Sequence, residues 1–87
     1  MGKPMDGAVA IVTGGAAGIG KAASLAFAAE GAKVAIADLK LERGEEVAHS
    51  IERAGGRAIF VKTDVSKAGD VEKLLGATVS AFGRLDY

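Results

Sequence analysis

One stretch narrows the folds open to this chain more than any other. The apolar run Ala8-Val9-Ala10-Ile11-Val12 ends in Thr13, passes through Gly14-Gly15-Ala16-Ala17-Gly18-Ile19-Gly20 and continues into an alanine-rich segment. Five consecutive apolar residues suit a parallel strand buried on both faces, where no polar alternation is expected. Glycines at 14, 15, 18 and 20 remove the side chains that would hold a backbone away from a ligand. A helix opening at the end of such a turn directs unpaired N–H groups and the positive end of its dipole into the gap, which suits a phosphate or pyrophosphate. The same residues also fit a tight strand-to-helix connection in some other α/β protein.

The rest of the chain repeats the alternation. A first helix over about residues 18–30 carries Ile19, Ala22, Ala23, Ala26 and Phe27 on one side, and Gly31 stands where a left-handed helix terminator is expected. Lys33-Val34-Ala35-Ile36-Ala37 is a second strand closing at Asp38. A second helix over about 41–54 places Leu41, Val47, Ala48, Ile51 and Ala54 on a common stripe, and Gly55-Gly56 stops it. Ala58-Ile59-Phe60-Val61 is a third strand, and Ser66 is placed to cap a third helix bearing Val71, Leu74, Leu75, Thr78, Val79 and Phe82. Gly83 ends that helix, and Leu85-Asp86-Tyr87 reads as the start of a fourth strand.

With each helix acting as a crossover, the fold class is α/β: a Rossmann-type, doubly wound parallel sheet, partial in extent. Its elements run β-α-β-α-β-α with strand order 3-2-1, stopping at the start of strand 4. Right-handed crossovers put the first two helices on one face and the third on the other. Strand 1 is then expected as an apolar edge with unpaired backbone groups, in a chain that needs the rest of its domain or self-association to cover the sheet. At 87 residues the chain is marginal as an isolated domain.

Composition removes several functions. Eleven basic residues balance eleven acidic ones and are interspersed, so no nucleic-acid or membrane-surface partner is expected. Cysteine is absent, which excludes disulfides, thiolate metal ligands and a cysteine nucleophile, and is compatible with a reducing cytosol. No apolar run approaches the roughly 20 residues of a membrane span, so the expected location is cytoplasmic. His49 falls off the apolar stripe of its helix without a metal-ligand companion, and no metal site is expected.

Asp38 lies eighteen positions after Gly20, near the spacing of about 20 at which a strand-end acid meets the hydroxyls of an adenosine ribose. A loop acid or part of the cap of the second helix is the lesser alternative. Facing the ribose, it would repel a 2′-phosphate, and Lys40 is the only nearby cation, so NAD is preferred over NADP. Asp64 ends the third strand at the same edge, where it either bonds the adenine amino group or caps the turn into the next helix. Thr13 either ties the loop or merely ends its strand.

Taken together, these residues resemble the short-chain dehydrogenase/reductase family. Thr13 to Gly20 is similar to that family's Thr-Gly-x-x-x-Gly-x-Gly cofactor loop, and the resemblance extends through Asp64-Val65 to Phe82-Gly83-Arg84-Leu85-Asp86. It implies that Gly14 shapes the turn and that Ala17, Gly18, Ile19 and Gly20 border the pyrophosphate. Asp38 and Leu39 would meet the ribose, and Asp64 and Val65 the adenine. The family transfers hydride between nicotinamide and a carbonyl or alcohol carbon, using a Tyr-x-x-x-Lys pair, a serine and an Asn-Asn-Ala-Gly segment.

None of that catalytic apparatus is present. Asparagine is absent and the one tyrosine, Tyr87, is the last residue. Residues 1–87 are therefore expected to be the N-terminal half of one dinucleotide-binding Rossmann domain, an oxidoreductase portion that is inactive alone. The alternative is a stand-alone, non-catalytic nucleotide-binding module completed by a partner subunit. Substrate and oligomeric state are not legible.

Overall fold

Short apolar segments rich in valine, isoleucine and alanine, separated by helical stretches too long for hairpins, leave parallel pairing as the way to satisfy their backbones. The structure, a computed structural model, describes residues 2–14 and 17–87. Gly15 and Ala16 of the glycine loop lie outside the described residues. Its elements are β1 (Val9–Thr13), α1 (Gly18–Ala29), β2 (Lys33–Asp38), α2 (Leu41–Arg53), β3 (Arg57–Lys62) and α3 (Ala68–Phe82). The strands form one parallel sheet in the order β1-β2-β3, with Val9 beside Lys33 and Lys33 beside Arg57, so that all three strands end at the same edge.

Strand alternation divides the apolar residues between two faces. Val12, Val34, Ile36 and Ala58 face α1 and α2 and form the main core with Ala32, Val47, Ala48 and Ile51, flanked by Ala23, Phe27, Ala28 and Phe60. The opposite face carries α3, which buries Leu74 and Thr78 and sets Phe82 under the Arg57 guanidinium, 5.6 Å from the ring centroid. That cation–π contact joins an edge strand to the end of the helix. Two helices therefore cover one face and one covers the other, the expected arrangement.

Several expectations from the sequence are corrected. Ile19 does not pack in the apolar side of α1: in the first turn of that helix it is 90% exposed. Ala22 and Ala26 are exposed as well, leaving Ala23 and Phe27 as the half-buried residues of that side. Leu41 and Ala54 sit at or just past the two ends of α2 and are also exposed. Gly44 is the residue that joins Val47, Ala48 and Ile51 in the buried stripe, since a Cβ there would overlap Cε1 and Cδ1 of the Phe60 ring. Ser66 is not the cap of α3. The cap position is Lys67, and the Ser66 hydroxyl is turned back onto Asp64 at 2.6 Å.

The expected open edge of β1 is corrected at its first residues. Asp86 and Tyr87 donate their N–H groups to the Val9 carbonyl at 2.9 and 3.1 Å, and Ile11 donates its own to the Tyr87 carbonyl at 3.1 Å. A residue bridging positions 9 and 11 of its neighbour is the pattern of a parallel ladder, so Tyr87 pairs in parallel with the start of β1, although the sheet itself has three strands. The Asp86 carboxylate secures the junction: Oδ2 accepts the Val9 N–H at 2.9 Å and Oδ1 the Arg84 guanidinium at 2.6 Å. That pairing with Arg84, and secondarily the Val9 N–H, lowers the Asp86 pKa below its ordinary 3.8. Leu75 and Val79 on α3 remain 41% and 48% exposed, apolar surface that the described residues cover only in part.

Candidate functional site

The carboxyl ends of β1, β2 and β3 bring Gly14, Asp38 and Asp64 to one rim of the sheet. Neighbouring strands lie about 4.8 Å apart, so the rim from β1 to β3 spans about 10 Å. At the β1 end, Gly14 has φ +65° and donates its N–H to the Ala37 carbonyl at 2.7 Å, which ties the start of the loop to β2. Gly18 opens α1 at φ +56°, a conformation that costs a residue with a Cβ about 1–2 kcal/mol. A Cβ built on either glycine would meet nothing within 4 Å, so both border open space.

The first turn of α1 has the electrostatics of an anion site. Its cap position, Ala17, is extended at φ −152° and supplies no side-chain hydrogen bond, and the turn contains no acid. The first helical hydrogen bond runs from the Lys21 N–H to the Ala17 carbonyl at 3.2 Å, so the N–H groups of residues 18–20 precede the helical ladder. These groups, with the helix dipole behind them, suit a phosphoryl oxygen.

Asp38 is half-buried at the end of β2. Its Oδ1 accepts the Lys40 N–H at 3.0 Å, a turn that sets the direction of α2, while its carbonyl accepts the Thr63 N–H at 2.9 Å. The two sequence readings of Asp38 thus share one residue, since a bond that braces the helix entry also holds the carboxylate at the rim. Leu39 beside it is 57% exposed.

Asp64, two residues beyond β3, is fastened more heavily. Its Oδ1 accepts both the N–H of Ser66 at 3.0 Å and the Ser66 hydroxyl at 2.6 Å, and its carbonyl accepts the Lys67 N–H at 3.0 Å. The hydrogen bonds from Ser66, hydroxyl first, lower its pKa below the ordinary 3.8. Its own N–H is taken by Asp70 Oδ2 at 3.0 Å, from the first turn of α3. Val65, the next residue, is 63% exposed. Sequence reasoning missed Asp70, although an acid placed six positions after Asp64 at a helix start was the available signal.

The structure thus brings Gly14, Ala17, Gly18, Ile19, Gly20, Asp38, Leu39, Asp64 and Val65 to one edge. Ile19, Leu39 and Val65 are its exposed apolar surface, and the strand-end acids are its polar groups. A cavity of about 630 Å³ lies at the other end of the sheet, between the tails of α1 and α2 and the starts of β2 and β3. It contains none of these residues. Among the described residues, no three His, Cys, Asp or Glu side chains are grouped to hold a metal ion, and no helix is long and apolar enough to cross a membrane.

Residues 8–87 match the profile of the family described as short chain dehydrogenase. The chain is 48% identical over 81 residues to an uncharacterised oxidoreductase of Thermotoga maritima, a match covering 93% of this chain and 32% of that protein. It is 45% identical over 84 residues to tropinone reductase-like 1 of Erythroxylum coca, covering 97% of this chain and 30% of that one. Among solved structures, a hydroxysteroid dehydrogenase from Escherichia coli superposes with a TM-score of 0.92 at 33% identity, over 94% of this chain and 35% of the other. The chain spans about a third of the length of these relatives.

Proposed function

Because this chain belongs to the short-chain dehydrogenase/reductase family, whose members use nicotinamide dinucleotides, we propose that its carboxyl rim binds the adenosine diphosphate part of NAD. The observation that carries this reading is one arrangement: two positive-φ glycines around an uncapped helix start, with an aspartate held at the end of each of the next two strands. The fit is chemical as well as spatial. Exposed main-chain N–H groups and a helix dipole suit a pyrophosphate, the Asp38 carboxylate suits ribose hydroxyls, and the Asp64 carboxylate suits the amino edge of adenine. A cofactor carrying a 2′-phosphate would set a second anion against Asp38, which favours NAD over NADP.

When bound, the nicotinamide supplies or accepts hydride. What this chain contributes is placement. Gly14 and Gly18 allow close approach, the N–H groups of residues 18–20 take up negative charge, and Asp38 and Asp64 set the orientation of the adenosine end. Catalytic residues are not among those assigned here. We read residues 1–87 as the N-terminal cofactor-binding half of one Rossmann domain in an oxidoreductase acting on a carbonyl or alcohol, inactive by itself. A cytoplasmic location accords with the absence of cysteine.

Titration calorimetry of NAD into the 87-residue chain tests the site. Saturable binding, abolished by Gly18→Val, is the expected result, because a β-branched residue resists the φ of +56° at that position. NAD binding that Gly18→Val leaves intact would remove the loop from the site. The alternative, a self-sufficient module completed by a partner subunit, would appear in sedimentation as a discrete, stable assembly.

A further inference from the structure

We propose that Ser66 and Asp70 are positioning residues that clamp the turn at 64–67 and present the second carboxylate oxygen of Asp64 to the amino group of adenine. The proposal rests on the nucleotide-binding reading above and adds to it the device that sets base selectivity. β3 ends at Lys62, so beyond it the main chain of Asp64 has no strand ladder to hold it. Four hydrogen bonds replace the ladder. Asp70 Oδ2 takes the Asp64 N–H at 3.0 Å, the Asp64 carbonyl takes the Lys67 N–H at 3.0 Å, and Oδ1 takes two donors from Ser66, at 3.0 and 2.6 Å.

The division of labour between the two oxygens follows from this. Oδ1 is occupied by two donors, whereas Oδ2 makes no hydrogen bond among the described residues. A carboxylate with one oxygen pinned has lost its free rotation about χ2, and the other oxygen is fixed in direction. Asp70 anchors the arrangement to α3, where its own N–H is bonded to the Lys67 carbonyl at 3.1 Å, so the clamp is continuous with a helix. An acceptor held in place ahead of binding discriminates between a donor and another acceptor more sharply than a mobile one, since less ordering remains to be done.

The experiment compares NAD with nicotinamide hypoxanthine dinucleotide, in which a carbonyl replaces the adenine amino group, by calorimetry on the 87-residue chain. The unsubstituted chain should prefer NAD by about tenfold, the order expected of one hydrogen bond to a charged acceptor. Asp70→Ala and Ser66→Ala should each reduce that preference to about threefold or less. Asp70→Asn should retain it, because the amide oxygen accepts the same N–H. Ser66 is exposed and outside the core, so its variant decides the matter even if Asp70→Ala fails to fold, which circular dichroism reports. Preferences unchanged in the Ser66 and Asp70 alanine variants but lost in Asp64→Ala would overturn the clamp and leave the adenine reading standing. No preference in the unsubstituted chain, or one that survives Asp64→Ala, would overturn both.

Discussion

Replacing Asp38 by Asn separates its turn contact, which the structure shows, from its proposed exclusion of a 2′-phosphate. The turn into α2 needs only an acceptor for the Lys40 N–H, held at 3.0 Å, and an asparagine oxygen supplies one. Exclusion of a 2′-phosphate needs the negative charge itself. At 4 Å a pair of unit charges repels by about 4 kcal/mol at an effective dielectric of 20 and by about 1 kcal/mol in bulk water. Asp38 is half-buried at an open rim, so a value near 2 kcal/mol is the reasonable estimate, or about 30-fold in relative affinity. Asp38→Asn should therefore raise NADP binding relative to NAD by about 30-fold while thermal melting changes little. Asp38→Ala should also weaken NAD, since the ribose loses its acceptor and the turn its brace. Calorimetry with both dinucleotides at two salt concentrations is the assay, and the Asn effect should shrink in high salt because a half-buried charge is still partly screened. A ratio that moves less than twofold in the Asn variant, with the fold intact, would refute the selectivity argument and reduce Asp38 to a turn residue.

Three further outcomes follow from the packing. Gly44→Ala gains about 1 kcal/mol of helix propensity but displaces the Phe60 ring, at an overpacking cost of roughly 1–3 kcal/mol, so urea unfolding should show net destabilisation. Pairing it with Phe60→Leu should recover at least about 0.5 kcal/mol in a double-mutant cycle, and strict additivity would remove the contact. Ile36→Ala, at a fully buried position of the central strand, should cost about 2–5 kcal/mol and leave the chain unfolded at room temperature by circular dichroism. Acid should release residues 85–87 from β1: the Asp86 pKa is lowered in the folded chain, so its stabilisation is complete above the unfolded value near 3.8 and disappears as pH falls through the folded one. Amide exchange at Val9 should accelerate over that window, and an Asp86→Ala chain should lack the transition.

Much of this architecture was legible before any coordinates, and the reason is local. Five consecutive apolar residues, a dense set of glycines and helical spacing each depend on a few neighbouring residues, so strand, loop and helix could be placed with boundaries close to those observed. The acid at the end of β2 could be singled out because a parallel sheet places successive strand ends side by side. The errors arose where an outcome depends on what lies across space. Ile19 is apolar and at helical spacing, yet in the first turn of α1 it is left exposed. Ser66 is a good capping residue, but Asp64 competes for its hydroxyl and wins at 2.6 Å.

By itself, then, the order of residues determined the alternation of strands and helices, the parallel sheet and the family resemblance, because those are set by periodicity and by residues close together in the chain. Only the tertiary structure decided that Gly44 is a seat for Phe60, that Asp86 closes the start of β1, and that Asp70 holds Asp64. Each of these contacts depends on the three-dimensional paths of separate elements, and a side chain's partner across such a gap leaves no periodic trace in the sequence.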